Sequence, residues 1–309
     1  MEALALPFLL LVGSLLALQA AANVQLSAAM ASPFGASTLQ LGIGAGLLLL
    51  LAALGGSLGA FDLLGEAEPW ELAGGLGSAL YITSGILLFP RLGALVTVGL
   101  WIAGQMLASL ALDGFGWLGV EPDSLGITEL AGAVAVLTGA ALIVRAQAEG
   151  TAARLLPGAG GGWPLLGLLA GAALPVQGAV NAELRADLDA PLAVSALSFL
   201  VATASMGLLL ATSLARAAAQ RPLLAPLRCV PWWGWLGGLV GATYVTAVFS
   251  LIPEIGAAAT IALTVGGQQI ASVFVDRHGL FRLPRRPVSG LRLAAVGALL
   301  TGVALIQLA

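Results

Sequence analysis

The sequence predicts an all-α integral membrane protein of ten transmembrane helices, arranged as two inverted five-helix repeats. Three observations lead there. The 309 residues are 59% hydrophobic and only 9% charged, at a mean hydropathy of +1.02, whereas a soluble domain is about one quarter charged. Apolar stretches recur at roughly 20 residues, the length a helix needs to cross a hydrocarbon core about 30 Å thick. Residues of the first half also return, in order, in the second.

Backbone in lipid must satisfy its own hydrogen bonds, which leaves helices and closed barrels. These stretches are too long and too continuously apolar for barrel strands. Apolar runs between breakers predict helices over 4–28, 34–57, 70–88, 90–112 and 126–146, within a first repeat of residues 1–147. A second repeat, 163–309, carries helices over 163–185, 191–215, 232–251, 254–275 and 289–308. Residues 148–162, Gly-rich and containing Pro157, read as a linker. The first apolar stretch lacks the basic start of a signal peptide and its pattern returns mid-chain, so it is expected to be a retained helix.

Gln19, Asn23, Pro33 and Ser37 return 158 positions later as Gln177, Asn181, Pro191 and Ser195. After a longer loop the spacing becomes 163, and Tyr81, Pro90, Gly93, Gly104, Gln105, Ser109, Asp113, Gly116 and Thr138 return as Tyr244, Pro253, Gly256, Gly267, Gln268, Ser272, Asp276, Gly279 and Thr301. Ordered identities of this kind mark a duplication. An odd number of helices per copy makes the second copy enter the membrane from the opposite side, which is an inverted repeat. Charge agrees with that topology. All twelve basic residues are Arg. Under ten-helix alternation Arg91, Arg145, Arg154, Arg216, Arg221, Arg228, Arg277, Arg282, Arg285, Arg286 and Arg292 share one side, leaving Arg185 on the other. The positive-inside rule then places both termini outside.

Several chemistries drop out. Without Lys there is no Walker P-loop. Cys229 and His278 each stand alone, so no disulfide framework and no cysteine or histidine metal cluster can form, and His278, in a loop among arginines, reads as an exposed residue rather than a triad base. No catalytic residue, metal or cofactor is expected, and no nucleic-acid partner.

Polar groups inside the span are costly and face a cavity or a neighbouring helix. Gln19 and Asn23 lie four apart and share a helix face, as do Gln177 and Asn181. Helix-to-helix bonding and cavity lining are both open readings, and repetition of the pair favours the cavity. Tyr81 and Tyr244 are the only tyrosines; they fall too deep for interfacial anchors, which favours a pathway role over a structural hydrogen bond. Gln105, Gln268 and Trp101, one turn before Gln105, extend the same set. Trp163, Trp232, Trp233 and Trp235 fall where an aromatic belt is expected. Gly42 with Gly46, Gly234 with Gly238, and Gly237 with Gly241 have a spacing that permits close helix packing. Asp113 and Asp276 end the fourth and ninth predicted helices and read as solvated loop starts.

The blocks Gln19-xxx-Asn23 and Gln177-xxx-Asn181, Ser198-Phe199, Pro231-Trp232-Trp233-x-Trp235-x-Gly237-Gly238, Pro253-x-x-Gly256-Ala257 and Gly267-Gln268 followed by Asp276 resemble the bacterial YdcZ-like family of the drug/metabolite transporter superfamily. The resemblance spans nearly the whole chain, as a fused form of a five-helix unit that elsewhere pairs in opposite orientations. It implies a ten-helix fold in which the first four helices of each half surround a central cavity. The fifth and tenth are peripheral and available for homodimer contacts. Small relatives in the superfamily carry a proton-coupling glutamate in their first helix; here Gln19 and Asn23 are the polar candidates.

The expected function is secondary transport of a small neutral, zwitterionic or aromatic solute across a bacterial inner membrane. Alternating access would proceed through a cavity lined by Gln19, Asn23, Tyr81, Trp101, Gln105, Gln177, Asn181, Tyr244 and Gln268, with solute and membrane lipids as partners. A non-transporting sensor or scaffold is the alternative, its polar residues serving only to join helices.

Overall fold

The structure, a computed structural model, describes residues 2–120, 126–148, 162–216, 220–255, 257–286 and 288–307. The predicted linker lies outside these apart from its first and last residues. Ten α-helices are described: α1 Glu2–Met30, α2 Pro33–Leu54, α3 Gly75–Leu92, α4 Ala94–Phe115, α5 Ile127–Ala148, α6 Trp163–Leu188, α7 Pro191–Ala215, α8 Gly237–Ile255, α9 Ala257–His278 and α10 Gly290–Gln307. By length and composition, six described segments can cross a membrane: Pro7–Met30, Pro33–Leu54, Glu71–Leu92, Ala94–Phe115, Trp163–Leu188 and Pro191–Ala215. Ile127–Leu142 and Gly290–Ile306 are shorter apolar helices.

Local chemistry sets the boundaries. α2 begins with Pro33 behind Ser32, whose Oγ accepts the Gly35 N–H at 3.1 Å and occupies one of the N–H groups that a helix start leaves unbonded. α4 closes on Gly116 in the left-handed conformation, its N–H returned to the Leu112 carbonyl. Two expectations need correction. The third and eighth helices start at Gly75 and Gly237, because short 3-10 segments at Glu71–Ala73 and Trp232–Trp235 occupy the residues assigned to their first turns. Nor does the fourth helix begin at Pro90. That proline sits in the last turn of α3, and the chain breaks three residues later at Gly93, whose φ of +85° lies where a Cβ is disfavoured.

Helix pairing follows an internal exchange. α1 packs on α9 and α8, while α6 packs on α4 and α3; α2 pairs with α7, and α5 with α10. Swapping each helix for its counterpart in the other half maps this set onto itself. The closest crossings occur at glycines. A Cβ at Gly13 would fall on the backbone of Thr264 and one at Gly267 on the carbonyl of Leu10. The repeat-equivalent pair behaves alike, with Gly171 against the carbonyl of Trp101 and Gly104 against that of Leu168. Backbones in contact gain van der Waals attraction where lipid offers no hydrophobic drive for association. α5 and α10 meet the same way, through Gly132, Gly139 and Gly302.

The two ends of the bundle differ in character. At one, Arg91 lies 4.4 Å over the Trp163 ring, Leu223 N–H donates to the Met30 carbonyl, and Trp233 meets Phe281 edge-on at 5.1 Å. At the other, Glu71 faces the acidic Asp187 and Glu183, with Gly119 against Glu183.

Gly104→Ala places a methyl on backbone that cannot yield, and is expected to cost about 1–3 kcal/mol, as overpacking does. Gly46→Ala, with open space around it, is expected to leave stability unchanged. Thermal unfolding midpoints in detergent check both.

Candidate functional site

Two polar clusters, built alike, lie at the junctions between the halves. In the first, Gln19 and Asn23 of α1 face the start of α8, about two turns in from the end where α2 begins. Gln19 Nε2 donates to the Gly237 carbonyl at 2.6 Å. Asn23 Oδ1 and the Gln40 Nε2 of α2 converge on the Cα of Gly237, where a Cβ would meet both. Gln19, Asn23 and Gln40 are 4%, 1% and 0% exposed, yet Asn23 Oδ1 and both side-chain polar atoms of Gln40 have no hydrogen-bond partner among the described residues.

The second cluster repeats this arrangement at the start of α3. Gln177 and Asn181 of α6 face Gly74 and Gly77. Ser198, on α7, stands where Gln40 stands in the first half, and it changes the bonding. Its Oγ accepts from Asn181 Nδ2 at 3.1 Å and from Gln177 Nε2 at 3.4 Å, and Ser78 Oγ donates to Gln177 Oε1 at 3.0 Å.

Between the clusters lies an aromatic centre. Tyr81 stacks on Trp101 with ring centroids 4.1 Å apart and donates to Gln268 Oε1 at 3.3 Å. Trp101, fully buried, donates from Nε1 to Ser84 Oγ at 3.1 Å and also meets Phe89. Thr264 takes the place of Trp101 in the other half, and the half-buried Tyr244 hydrogen-bonds to it. Gln105 Nε2, Gln268 Nε2 and both side-chain polar atoms of Gln269 are buried without partners among the described residues. The nine sequence-derived residues therefore fall into three groups, two at the α1–α8 and α6–α3 junctions and one at the centre, with Trp101 packed as core.

Asp276 is not a solvated loop start. It is 2% exposed, and its carboxylate accepts the N–H groups of Ala94 and Leu95 at 2.8 and 3.1 Å, capping α4 from another helix. The helix dipole that disfavours an anion at the end of its own α9 favours it at the start of α4. Arg286 completes the latch. Its Nη2 donates to the carbonyls of Pro90 and Arg91 at 3.2 and 3.3 Å, its backbone N–H to the Asp276 carbonyl at 2.8 Å, and Arg292 also acts on the carboxylate electrostatically. The break at Gly93 is thus clamped by a buried acid and base, and a Cβ there would meet Arg286 at 2.7 Å.

Comparison with known proteins adds an independent line. The model of the family described as "Putative inner membrane exporter, YdcZ" matches residues 4–142 and 162–305. The chain belongs to the YdcZ family, within the drug/metabolite transporter superfamily. Over 73 residues it is 37% identical to the Inner membrane protein YdcZ of Escherichia coli (strain K12), an alignment covering 22% of this chain and 49% of that protein, so that the chain spans about half the length of this relative. A solved crystal structure superposes over 96% of both chains at a TM-score of 0.54 and 18% identity, a likeness that shows the fold alone. Family and apolar helices together make this an inner-membrane, multi-pass protein.

Within this YdcZ member, sequence reasoning missed Gln40, Ser78, Gln269 and the Asp276 latch. Gln40 and Ser198 are equivalent but not identical, so a search for repeated identities passes over them, although both are polar within an apolar run. Asp276 binds backbone, and backbone partners leave no mark in side-chain spacing.

Replacing Asp276 by Ala leaves two helix-start N–H groups and a buried Arg286 uncompensated, with an expected loss of about 3–5 kcal/mol. Asp276→Asn keeps an acceptor oxygen and is expected to lose less. Denaturation of the purified variants in detergent ranks the two.

Proposed function

We propose that the protein is a secondary transporter of ten membrane spans in two inverted repeats, moving a small neutral, zwitterionic or aromatic solute by alternating access. The carrying observation is the internal exchange of helix partners, with uncharged polar side chains buried at both equivalent junctions. Such a pair of junctions supports a cycle in which one opens while the other closes. Amides and phenols hydrogen-bond a neutral or zwitterionic solute, and the aromatic centre offers ring faces. A strongly charged solute would lack a counter-ion there. The description of the family supplies a direction for the proposal, export.

The arginine distribution supports an orientation with both termini outside. Arg91, Arg286 and the aromatic contacts cluster at one end of the bundle, and the Glu71, Glu183 and Asp187 group at the other. The interhelical bonds of Gln19, Gln177 and Asn181 are also what a non-transporting scaffold would make, and this keeps the second reading in play.

Flux separates the two. In proteoliposomes screened against a metabolite panel, a saturable, counterflow-competent flux is expected, and the Asn23→Ala, Asn181→Ala double variant is expected to lower it at least tenfold, a change equivalent to about 1.4 kcal/mol. Unchanged flux in a folded double variant rejects these residues as part of the route. A reporter at the C-terminus is expected to signal from outside the inner membrane; a cytoplasmic signal reverses the orientation.

A further inference from the structure

α3 and α8 are repeat equivalents, yet they are bound to their surroundings unequally. Three polar positions can be compared. At the helix start, Ser78 of α3 is bonded to Gln177, and the neighbouring Asn181 and Gln177 both bond Ser198. At the start of α8 the equivalent groups, Asn23 Oδ1 and both polar atoms of Gln40, are buried without partners among the described residues, and Gln19 Nε2 donates to the Gly237 carbonyl. The equivalent of Ser78 is Gly241, which has no hydroxyl to give. Two turns further on, Thr83 of α3 bonds Ser37 of α2 at 2.9 Å and lies 3.0 Å from the Met206 sulfur. Its equivalent on α8, Thr246, and the equivalent of Ser37, Ser195, both have buried hydroxyl oxygens without partners among the described residues.

We infer that α8 is the moving gate of this protein and α3 its fixed counterpart, so that the pathway opens between α8 and the α1, α2 and α7 helices at the arginine-bearing end. The physical reason is a difference in what opening costs. Parting α3 breaks the Ser78 bond to Gln177 and the Thr83 contacts to Ser37 and Met206 and relieves no orphaned group among the described residues, since Asn181 and Gln177 of α6 are already bonded to Ser198 of α7. Parting α8 breaks the Gln19 bond to Gly237 but exposes to water polar atoms that are unsatisfied when closed, each of which is costly to keep buried. A closed junction with orphaned groups lies nearer in free energy to its open form than one fully bonded. Once opened, the route presents Asn23, Gln40, Ser195 and Thr246, donors and acceptors of no net charge. The inference rests on the transporter reading only for its role in a cycle; the inequality of the two helices stands apart from it.

Hydrogen–deuterium exchange of the unmodified protein in nanodiscs tests the inequality without requiring a solute. Amides of 237–247 are expected to exchange roughly tenfold or more faster than those of 74–84, because exchange from native structure reports local opening. Equal protection, or faster exchange in α3, overturns the inference whether or not the protein transports. A reciprocal swap tests the cause. Gln40→Ser installs the residue its counterpart has, allowing Asn23 to bond it as Asn181 bonds Ser198, and is expected to slow exchange in α8 toward that of α3. Ser198→Gln is expected to speed exchange in α3. If neither swap moves the rates, the missing bonds are not what frees α8. Exchange that behaves as expected in a protein showing no flux would leave the gate intact and count against the transport reading instead.

Discussion

Everything in this bundle is arranged around two backbone crossings, α1 over α9 at Gly13 and Gly267, and α6 over α4 at Gly171 and Gly104. Lipid tails are as apolar as leucine, so helices in a bilayer gain little from burying Leu against Leu, and close approach with van der Waals contact becomes the available drive. At these crossings no side chain separates the two helices. The approach joins the first helix of each half to the fourth helix of the other, which interlocks the halves where they might otherwise lie side by side. It also brings the amides of α1 and α6 against the starts of α8 and α3.

That interlocking explains where the polar groups can be afforded. A glutamine or asparagine amid hydrocarbon needs a polar partner, and close approach at a glycine brings one within reach. Gln19 and Asn23 reach the start of α8, and Gln177 and Asn181 the start of α3, each beside a glycine that leaves room for an amide. Asp276 uses the same logic with charge, reaching the unbonded N–H groups of α4. Helix starts thus serve as the polar fastenings of an otherwise apolar protein, and the duplicated architecture supplies them in pairs. Divergence between the pairs, Gln40 against Ser198, is what makes the two junctions unequal.

Membership of the YdcZ family fits a fold in which the polar interior is uncharged. The acidic and basic residues described are gathered toward the ends of the bundle, with Asp276 and Arg286 buried together as a clamp on the α3–α4 break. A charged group held in that way serves geometry. It holds the turn at which α3 hands over to α4.

The sequence by itself determined the membrane class, the ten helices to within a few residues, the duplication and the amide pairs, because hydropathy over a span and identities at fixed spacing are properties of the chain alone. It misplaced the starts of the third and eighth helices, since Glu71–Ala73 and Trp232–Trp235 are made of residues that a helical turn also accepts while adopting a tighter one. Only the tertiary structure decided which glycines are crossings and which face open space. It alone separated the amides that are bonded from those that are not, and turned Asp276 from a loop residue into the cap of a helix 181 to 182 positions away. Those outcomes depend on what lies opposite a residue after folding, and a sequence records neighbours along the chain, not across it.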